Sequence, residues 1–221
     1  MCETISPMTK TTILFAIAVF ATAACDNPAK DKSAATVAAP ADSSSAAALA
    51  ASPGAVSYVI SPATSKVEWT GSKVTGSHDG SFSGFTGSID VVDGAPEKSR
   101  VSIDIDTTTL TTQPDRLLGH LKSPDFFDVQ KFPKATFAST AIKAGGDKSA
   151  THTITGNLTL HGVTKSISFP ATIAIAPDAV TANATFTINR KDFGLNYPGK
   201  VDDLIRDDVV IKLTLKAPKK G

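Results

Sequence analysis

Val180-Thr181-Ala182-Asn183-Ala184-Thr185-Phe186-Thr187-Ile188-Asn189 alternates a carbon side chain with a polar one over its whole length. Ile167, Phe169, Ala171, Ile173 and Ile175 alternate in the same way with Ser166, Ser168, Pro170, Thr172 and Ala174. Val209, Ile211, Leu213 and Leu215 alternate with Lys212, Thr214 and Lys216. A period of two places one apolar face and one wet face on each strand. Several such strands bury their apolar faces only by closing a barrel or stacking a sandwich. Inward positions here carry Ala as well as large residues. Small inward side chains leave room for a hollow, and a hollow walled by carbon accepts a lipid chain.

The same pattern extends upstream. Segments 58–60 and 66–74 open the folded domain, with Val67, Trp69 and Gly71 on one face. Segment 81–92 follows, carrying Phe85, Gly87, Ile89 and Val91 on one side. Gly80, Gly84 and Gly87 mark bends or bulges of the kind a tight barrel needs. Over 100–106, Val101, Ile103 and Ile105 face in while Ser102, Asp104 and Asp106 face out. Segments 135–142 and 149–160 form a hairpin around Gly145-Gly146-Asp147. The expected fold is an all-β, closed antiparallel barrel of about eight strands. Only the middle breaks the alternation. Pro114 to Leu121 sets Leu117, Leu118 and Leu121 at helical spacing, and Ser123-Pro124-Asp125 reads as a second helix start carrying Phe126 and Phe127. This excursion is expected to form a lid at one barrel end. Two roles stay open for it: a plug of Leu and Phe, or a gate for a ligand.

The chain has 221 residues, and the first 24 read as a secretory signal. Lys10 supplies the positive start, residues 13–21 the apolar stretch, and Thr22-Ala23-Ala24 the small residues before Cys25. Initiation at Met8 instead of Met1 would remove the awkward Glu3. Small residues followed by cysteine resemble the lipobox of bacterial lipoproteins, with Thr22 standing where Leu is more usual. That resemblance implies cleavage before Cys25 and lipidation of it. The expected setting is then periplasmic and membrane-anchored, or secreted if Cys25 is not lipidated. Asp26 resembles an inner-membrane retention signal. Residues 25–54, rich in Ala, Ser and Pro, bury too little apolar surface to order themselves. They are expected to form a flexible tether with ends roughly 30 Å apart. The folded domain then covers 55–221. Cys2 and Cys25 are the only cysteines, so the mature domain contains no internal disulfide and no cysteine cluster for zinc or iron–sulfur. A formal net charge of +1 without a basic stripe argues against nucleic acid.

Five blocks, in order, resemble the YceI-like family. They are Lys66-Val67-Glu68-Trp69-Thr70-Gly71-Ser72-Lys73; residues 76–87, from Gly76-Ser77-His78-Asp79-Gly80 to Gly84-Phe85-Thr86-Gly87; and His120-Leu121-Lys122-Ser123-Pro124-Asp125-Phe126-Phe127-Asp128-Val129 with Phe132-Pro133-Lys134-Ala135-Thr136-Phe137. Gly156-Asn157-Leu158-Thr159-Leu160-His161-Gly162-Val163-Thr164-Lys165 and Asn189-Arg190-Lys191-Asp192-Phe193-Gly194 complete the set. The resemblance spans about 56–217. It implies a lipocalin-like barrel with an elongated pocket for a polyisoprenoid or another long-chain amphiphile such as a quinone. It implies a periplasmic or secreted setting and no settled enzymatic activity. The candidate ligand-binding residues are Trp69, Phe82, Phe85, Leu117, Leu121, Phe126, Phe127, Phe137, Phe169, Phe186 and Arg190, with Trp69, Phe126 and Phe127 at the centres of the family blocks. Arg190 either meets a polar ligand head at the rim or pairs with Asp192.

Chemistry beyond binding finds little support in the residues. His78, His120, His152 and His161 lack helical zinc spacing, and there is no His-Glu-x-x-His. Neither a Gly-x-Ser-x-Gly nor a complete phosphate-binding loop is present. Asp202-Asp203 and Asp207-Asp208 flank Arg206 and read as a solvated loop with Arg206 as their ion partner. No catalytic residue, metal or resident cofactor is expected. Binding needs none: at about 0.8 kcal/mol per buried CH₂, three isoprene units contribute on the order of 10 kcal/mol before association costs. The competing functions are a hydrolase using His78, Asp79 or His161, and an accessory partner of a membrane redox or stress-response system. An outer-membrane barrel would need aromatic girdles, and this chain has one Trp and two Tyr.

Overall fold

The structure, a computed structural model, describes residues 27–42 and 54–221. The expected signal over 1–24 and the lipidation site Cys25 lie outside the described residues. The strands are β1 (Ser33–Ala34), β2 (Thr36–Ala38), β3 (Val56–Ile60), β4 (Lys66–Lys73), β5 (Gly76–Phe82), β6 (Phe85–Val92), β7 (Ala95–Asp106), β8 (Leu110–Thr112), β9 (Lys134–Ala144), β10 (His152–Leu160), β11 (Val163–Ile175), β12 (Ala179–Asn189), β13 (Gly199–Lys200), β14 (Asp203–Leu204) and β15 (Asp208–Pro218). Among the described residues one α-helix, α1 (Asp115–Lys122), stands between β8 and β9.

The strands pair in the order β3-β6-β7-β9-β10-β11-β12-β15-β4-β5-β8 and curl into a barrel-like shell. Every pair on this path is antiparallel. The expected alternation is realised. Val180, Ala182, Ala184, Phe186 and Ile188 are all buried on the inner face of β12, as are Ile167, Phe169 and Ala171 on β11.

Four expectations need correction. The barrel is not fully closed, because β3 and β8 end the ladder without pairing to each other. The path instead folds back at a corner, where β5 bends into β6 and β7 into β8. Ser83 N donates to Thr109 O at 3.3 Å, Asp106 N to Gly84 O at 2.9 Å and Gly84 N to Thr109 Oγ1 at 2.8 Å. The single strand expected over 81–92 is therefore two, β5 and β6. The second helix start is a run of turns: Phe126 N and Asp128 N both donate to Ser123 O, and Phe127 N donates to Leu121 O. Pro124 and the crowded Phe126-Phe127 pair sit in a short segment that has no length to nucleate a helix.

The fourth correction concerns the expected tether. Residues 33–38 are strands. β1 pairs in parallel with β12 (Ser33 with Phe186, Ala34 with Thr187), and β2 pairs antiparallel with β11 (Thr36 with Ser168, Val37 with Ile167, Ala38 with Ser166). The composition is as poor in apolar residues as a disordered segment, but a waiting pair of sheet edges supplies the hydrogen bonds the segment cannot supply itself. β11 and β12 pair directly only from Thr172–Ile175 to Val180–Asn183. Beyond that they part, and the segment fills the gap. A strand lying between two antiparallel neighbours must be parallel to one of them, which explains the mixed pairing.

Candidate functional site

The inner face encloses a cavity of about 650 Å³. Its wall is overwhelmingly carbon. β4 contributes Val67 and Trp69, β7 Val101, Ile103 and Ile105, and β12 Ala182, Ala184, Phe186 and Ile188. β15 contributes Val209, Ile211, Leu213 and Leu215. Val209, Ile211 and Leu213 are only half-buried although they point inward. In a solid core such positions are sealed. Here their residual exposure is to the cavity itself. Pockets of roughly 300–1,000 Å³ are the size range of small-molecule and lipid sites.

Inward glycines and alanines make the hollow. On β4, Trp69 lies flat against the wall because its neighbour across the sheet, Gly80, has no side chain. A Cβ on Gly80 would fall 2.1 Å from Trp69 Cζ2, whereas one on Gly71 would make an ordinary contact at 3.5 Å from Cζ3. Gly156 does the same for Phe137, whose ring would meet a Cβ at 2.4 Å. The aromatic rings thus line the space without filling it. Phe169 and Phe186 stack at 4.1 Å between centroids across the β11–β12 gap. The Trp69 Nε1 atom is buried and has no protein partner.

The lid is built from α1 and the turns after it. Pro114 holds the N-terminal position with extended backbone, and Ser123 stops the helix by donating both its N–H and its hydroxyl to His120 O. Leu117 and Leu121, one turn apart, and then Phe126 and Phe127 cover the cavity end. Phe127 meets Phe82 edge-on at 5.9 Å. His120 is fixed by Asp125 at 3.0 Å and by edge contacts with Phe126 and Tyr197.

A collar of polar side chains rims the same end. Lys73, His78, Arg116, His120 and Arg190 all border the cavity, and among the described residues no carboxylate does. Lys73 is engaged by Asp203, which also accepts from Thr75. These contacts, the Lys73 hydrogen bond first, hold the Asp203 carboxyl below its ordinary value. Arg190 is almost completely buried. Its Nε donates to Arg206 O at 3.1 Å, and Nη2 to Ile205 O at 3.4 Å and Asp207 Oδ1 at 3.2 Å. Nη1 donates to Leu195 O. Burial pulls its pKa down, opposed by Asp207. Four of its five N–H groups are committed, so Arg190 knits β12 to the loop before β15. The partner is Asp207 and not the expected Asp192. Arg206 likewise is not the ion partner of the acidic loop: Asp203 pairs with Lys73, and Asp207 with Arg190 and Lys191.

Ten of the eleven candidate residues border the cavity: Trp69, Phe82, Leu117, Leu121, Phe126, Phe127, Phe137, Phe169, Phe186 and Arg190. Phe85 does not. It is buried in the core at the corner, beyond the cavity wall. Sequence reasoning passed over the aliphatic wall of β7, β10 and β15, although its period-two pattern carried the signal. It also passed over His78 and Arg116 as rim residues. The remaining histidines lie elsewhere. His152 faces Glu97 at 3.5 Å, and His161 occupies the β10–β11 turn against Phe132. Among the described residues no group of three or more His, Cys, Asp or Glu is arranged to hold a metal.

Residues 58–217 match the YceI-like domain family. A UPF0312 protein from Pseudomonas putida strain W619 is 37% identical over 139 residues, covering 60% of this chain and 71% of that protein. A second, from Pseudomonas syringae pv. tomato, is 36% identical over 139 residues with the same coverage. Among solved structures, BcnA of Burkholderia cenocepacia superposes with a TM-score of 0.62 at 26% identity, over 72% of this chain and 99% of BcnA. A polyisoprenoid binding domain from Saccharophagus degradans shares the fold, with a TM-score of 0.58 at 15% identity over 75% of this chain and 99% of that domain.

Proposed function

The chain belongs to the YceI-like family, and from that premise we propose that it binds one long-chain isoprenoid or related amphiphile and works by binding, without catalysis. One observation carries this: the shell encloses about 650 Å³ whose wall is carbon except for Asn183 and a polar collar at one end. Such a space rewards a long apolar tail and asks for no reactive group. The likeness to a polyisoprenoid binding domain supports the tail's chemistry. The protein is further proposed to be a periplasmic lipoprotein held through Cys25, so that carrier, store or sensor duties are all exercised beside a membrane. With Ser33 already paired into the wall, only residues 26–32 separate Cys25 from the barrel, a reach of at most about 28 Å. The barrel then stands close to its membrane and is not lifted away on a long tether.

Organic extraction of protein purified without detergent, followed by mass spectrometry, tests the binding function. A stoichiometric isoprenoid or long-chain amphiphile is expected. Protein that carries no lipid and takes up no quinone analogue contradicts it and favours the accessory-partner role. Hydrolytic turnover abolished by alanine at His78, Asp79 and His161 would favour the enzyme instead.

A further inference from the structure

The sheet around the cavity contains one element from outside the family domain, although none of its residues borders the cavity itself. Residues 33–38 precede the matched span of 58–217, yet they stand between β11 and β12. Every residue of the segment is partly or fully exposed. Its only apolar anchors in the core are Ala35 and Val37. The surrounding clips are polar and sit at the surface. Ser33 Oγ donates to Asp147 Oδ2 at 2.7 Å, Lys148 Nζ donates to Asp31 O, and Asn157 exchanges two bonds with the backbone of Ala41 at 2.9 and 2.7 Å. Elements with few buried apolar contacts and exposed hydrogen bonds open first. By this measure the segment is weakly held.

The cavity lies directly behind it. Ile167 and Phe169 on one side of the gap and Phe186 and Ile188 on the other all border the cavity. Strands pack about 4.7–4.9 Å apart, so withdrawing one strand leaves a slot about one strand wide. That is the width of a single hydrocarbon chain. The two routes into the cavity then differ in chemistry. Past the lid, an apolar tail must cross the collar of Lys73, His78, Arg116 and His120. Through the slot it meets no charged side chain: it passes the hydroxyls and freed backbone edges at Ser166, Ser168 and Thr187 and then parts the stacked Phe169 and Phe186 rings.

We infer that residues 33–38 form a removable stave, and that the slot they fill is the side portal through which a long-chain ligand enters and leaves. The portal rests on the binding function proposed above. A tail passes sideways into the barrel while the stave is out, and the stave's return seals it.

The register supplies the test. Thr36 and Ser168 are directly opposed on β2 and β11, and opposed Cα atoms about 4.5–5.5 Å apart lie within disulfide reach. The full chain carrying Thr36→Cys and Ser168→Cys in a Cys2→Ser, Cys25→Ser background can be pinned by oxidation and freed by reduction. Trp69, the single tryptophan, borders the cavity and reports its occupancy. A benzoquinone with a ten-carbon tail, delivered from phosphatidylcholine vesicles, is the probe. Its quenching of Trp69 should be at least tenfold slower in the oxidised protein, reach the same end point, and recover on reduction. Equal rates in both forms overturn the portal and leave the lid as the route. No quenching in either form overturns the binding function and the portal with it. Val37→Asp, which removes the main apolar anchor of the stave without a crosslink, should speed transfer severalfold, and an unchanged rate also counts against the portal.

Discussion

The two halves of the barrel interior follow the same sequence rule and reach opposite results. In the half near the β9–β10 hairpin, Ile89, Ile142 and Val180 meet around a void of only about 10 Å³. In the other half the inner face surrounds about 650 Å³. The boundary coincides with the place where β11 and β12 part. Where they pair directly, from Thr172 to Ile175, the interior is packed. Where residues 33–38 stand between them, it is hollow. A barrel's bore grows with its strand number, so an inserted strand widens that half alone. Small inward residues do the rest: Ala182, Ala184 and Gly80 leave the space that the extra perimeter opens. The packed half stabilises the fold, and the hollow half is free to hold a tail.

Large-to-small substitutions should separate the halves most. Ile89→Ala, at 3% exposure, leaves a new cavity and is expected to cost about 2–5 kcal/mol. Ile211→Ala faces space that is already open, so only the transfer contribution is lost, below about 2 kcal/mol. Urea unfolding of the two variants compares them, and equal losses would contradict the division.

Small-to-large substitutions should invert the contrast. Ala217, fully buried near Val180, has no room. Ala217→Leu is expected to cost about 1–3 kcal/mol by overpacking. Ala184→Leu projects into the hollow and should cost under about 1 kcal/mol. Thermal unfolding distinguishes them. Gly80→Ala sharpens the picture at one residue. The new methyl would fall 2.1 Å from Trp69 Cζ2 and 2.5 Å from the Thr111 backbone oxygen, so it drives the ring off the wall and strains the β5–β8 pairing at a cost of about 1–3 kcal/mol, and the tryptophan emission maximum should move. An unmoved spectrum would mean that the ring does not rest on Gly80.

The smallest effect is expected at the rim. The Asp203 carboxyl is held below its ordinary value of 3.8, chiefly by Lys73. A carboxylate depressed in the folded state contributes its full stability above the unfolded value and loses it as pH falls through the lower folded value. Asp203→Asn should therefore lower the unfolding midpoint slightly at about pH 7, and the difference from the parent should shrink toward about pH 2. A difference that persists at low pH would point to lost packing in place of the ion pair.

Much of this was legible in the residues. Alternation identified the inner faces of β7, β11, β12 and β15, because a half-buried strand must follow the pleat. Trp69, Phe126 and Phe127 could be placed at the cavity from the sequence blocks that contain them. The partners of Arg190 could not, because Asp207 reaches it only through the loop from Leu195 to Arg206, where no periodicity operates. The glycines mark a bend near Gly84, but not that it divides 81–92 between two strands, since a bend leaves the alternation on either side intact. Residues 33–38 were invisible for a deeper reason. Their own composition favours no structure, and their order depends on two edges supplied by residues more than 120 positions away.

On the proposed function, the hollow half holds a long apolar tail. Titration of the tailed benzoquinone into the parent protein and into Ala184→Trp, followed calorimetrically, tests it most directly. One tail per protein is expected to bind the parent with micromolar or tighter affinity, with at least a hundredfold loss in Ala184→Trp and its unfolding midpoint nearly unchanged. Equal binding by the two proteins, or none by the parent, would contradict it.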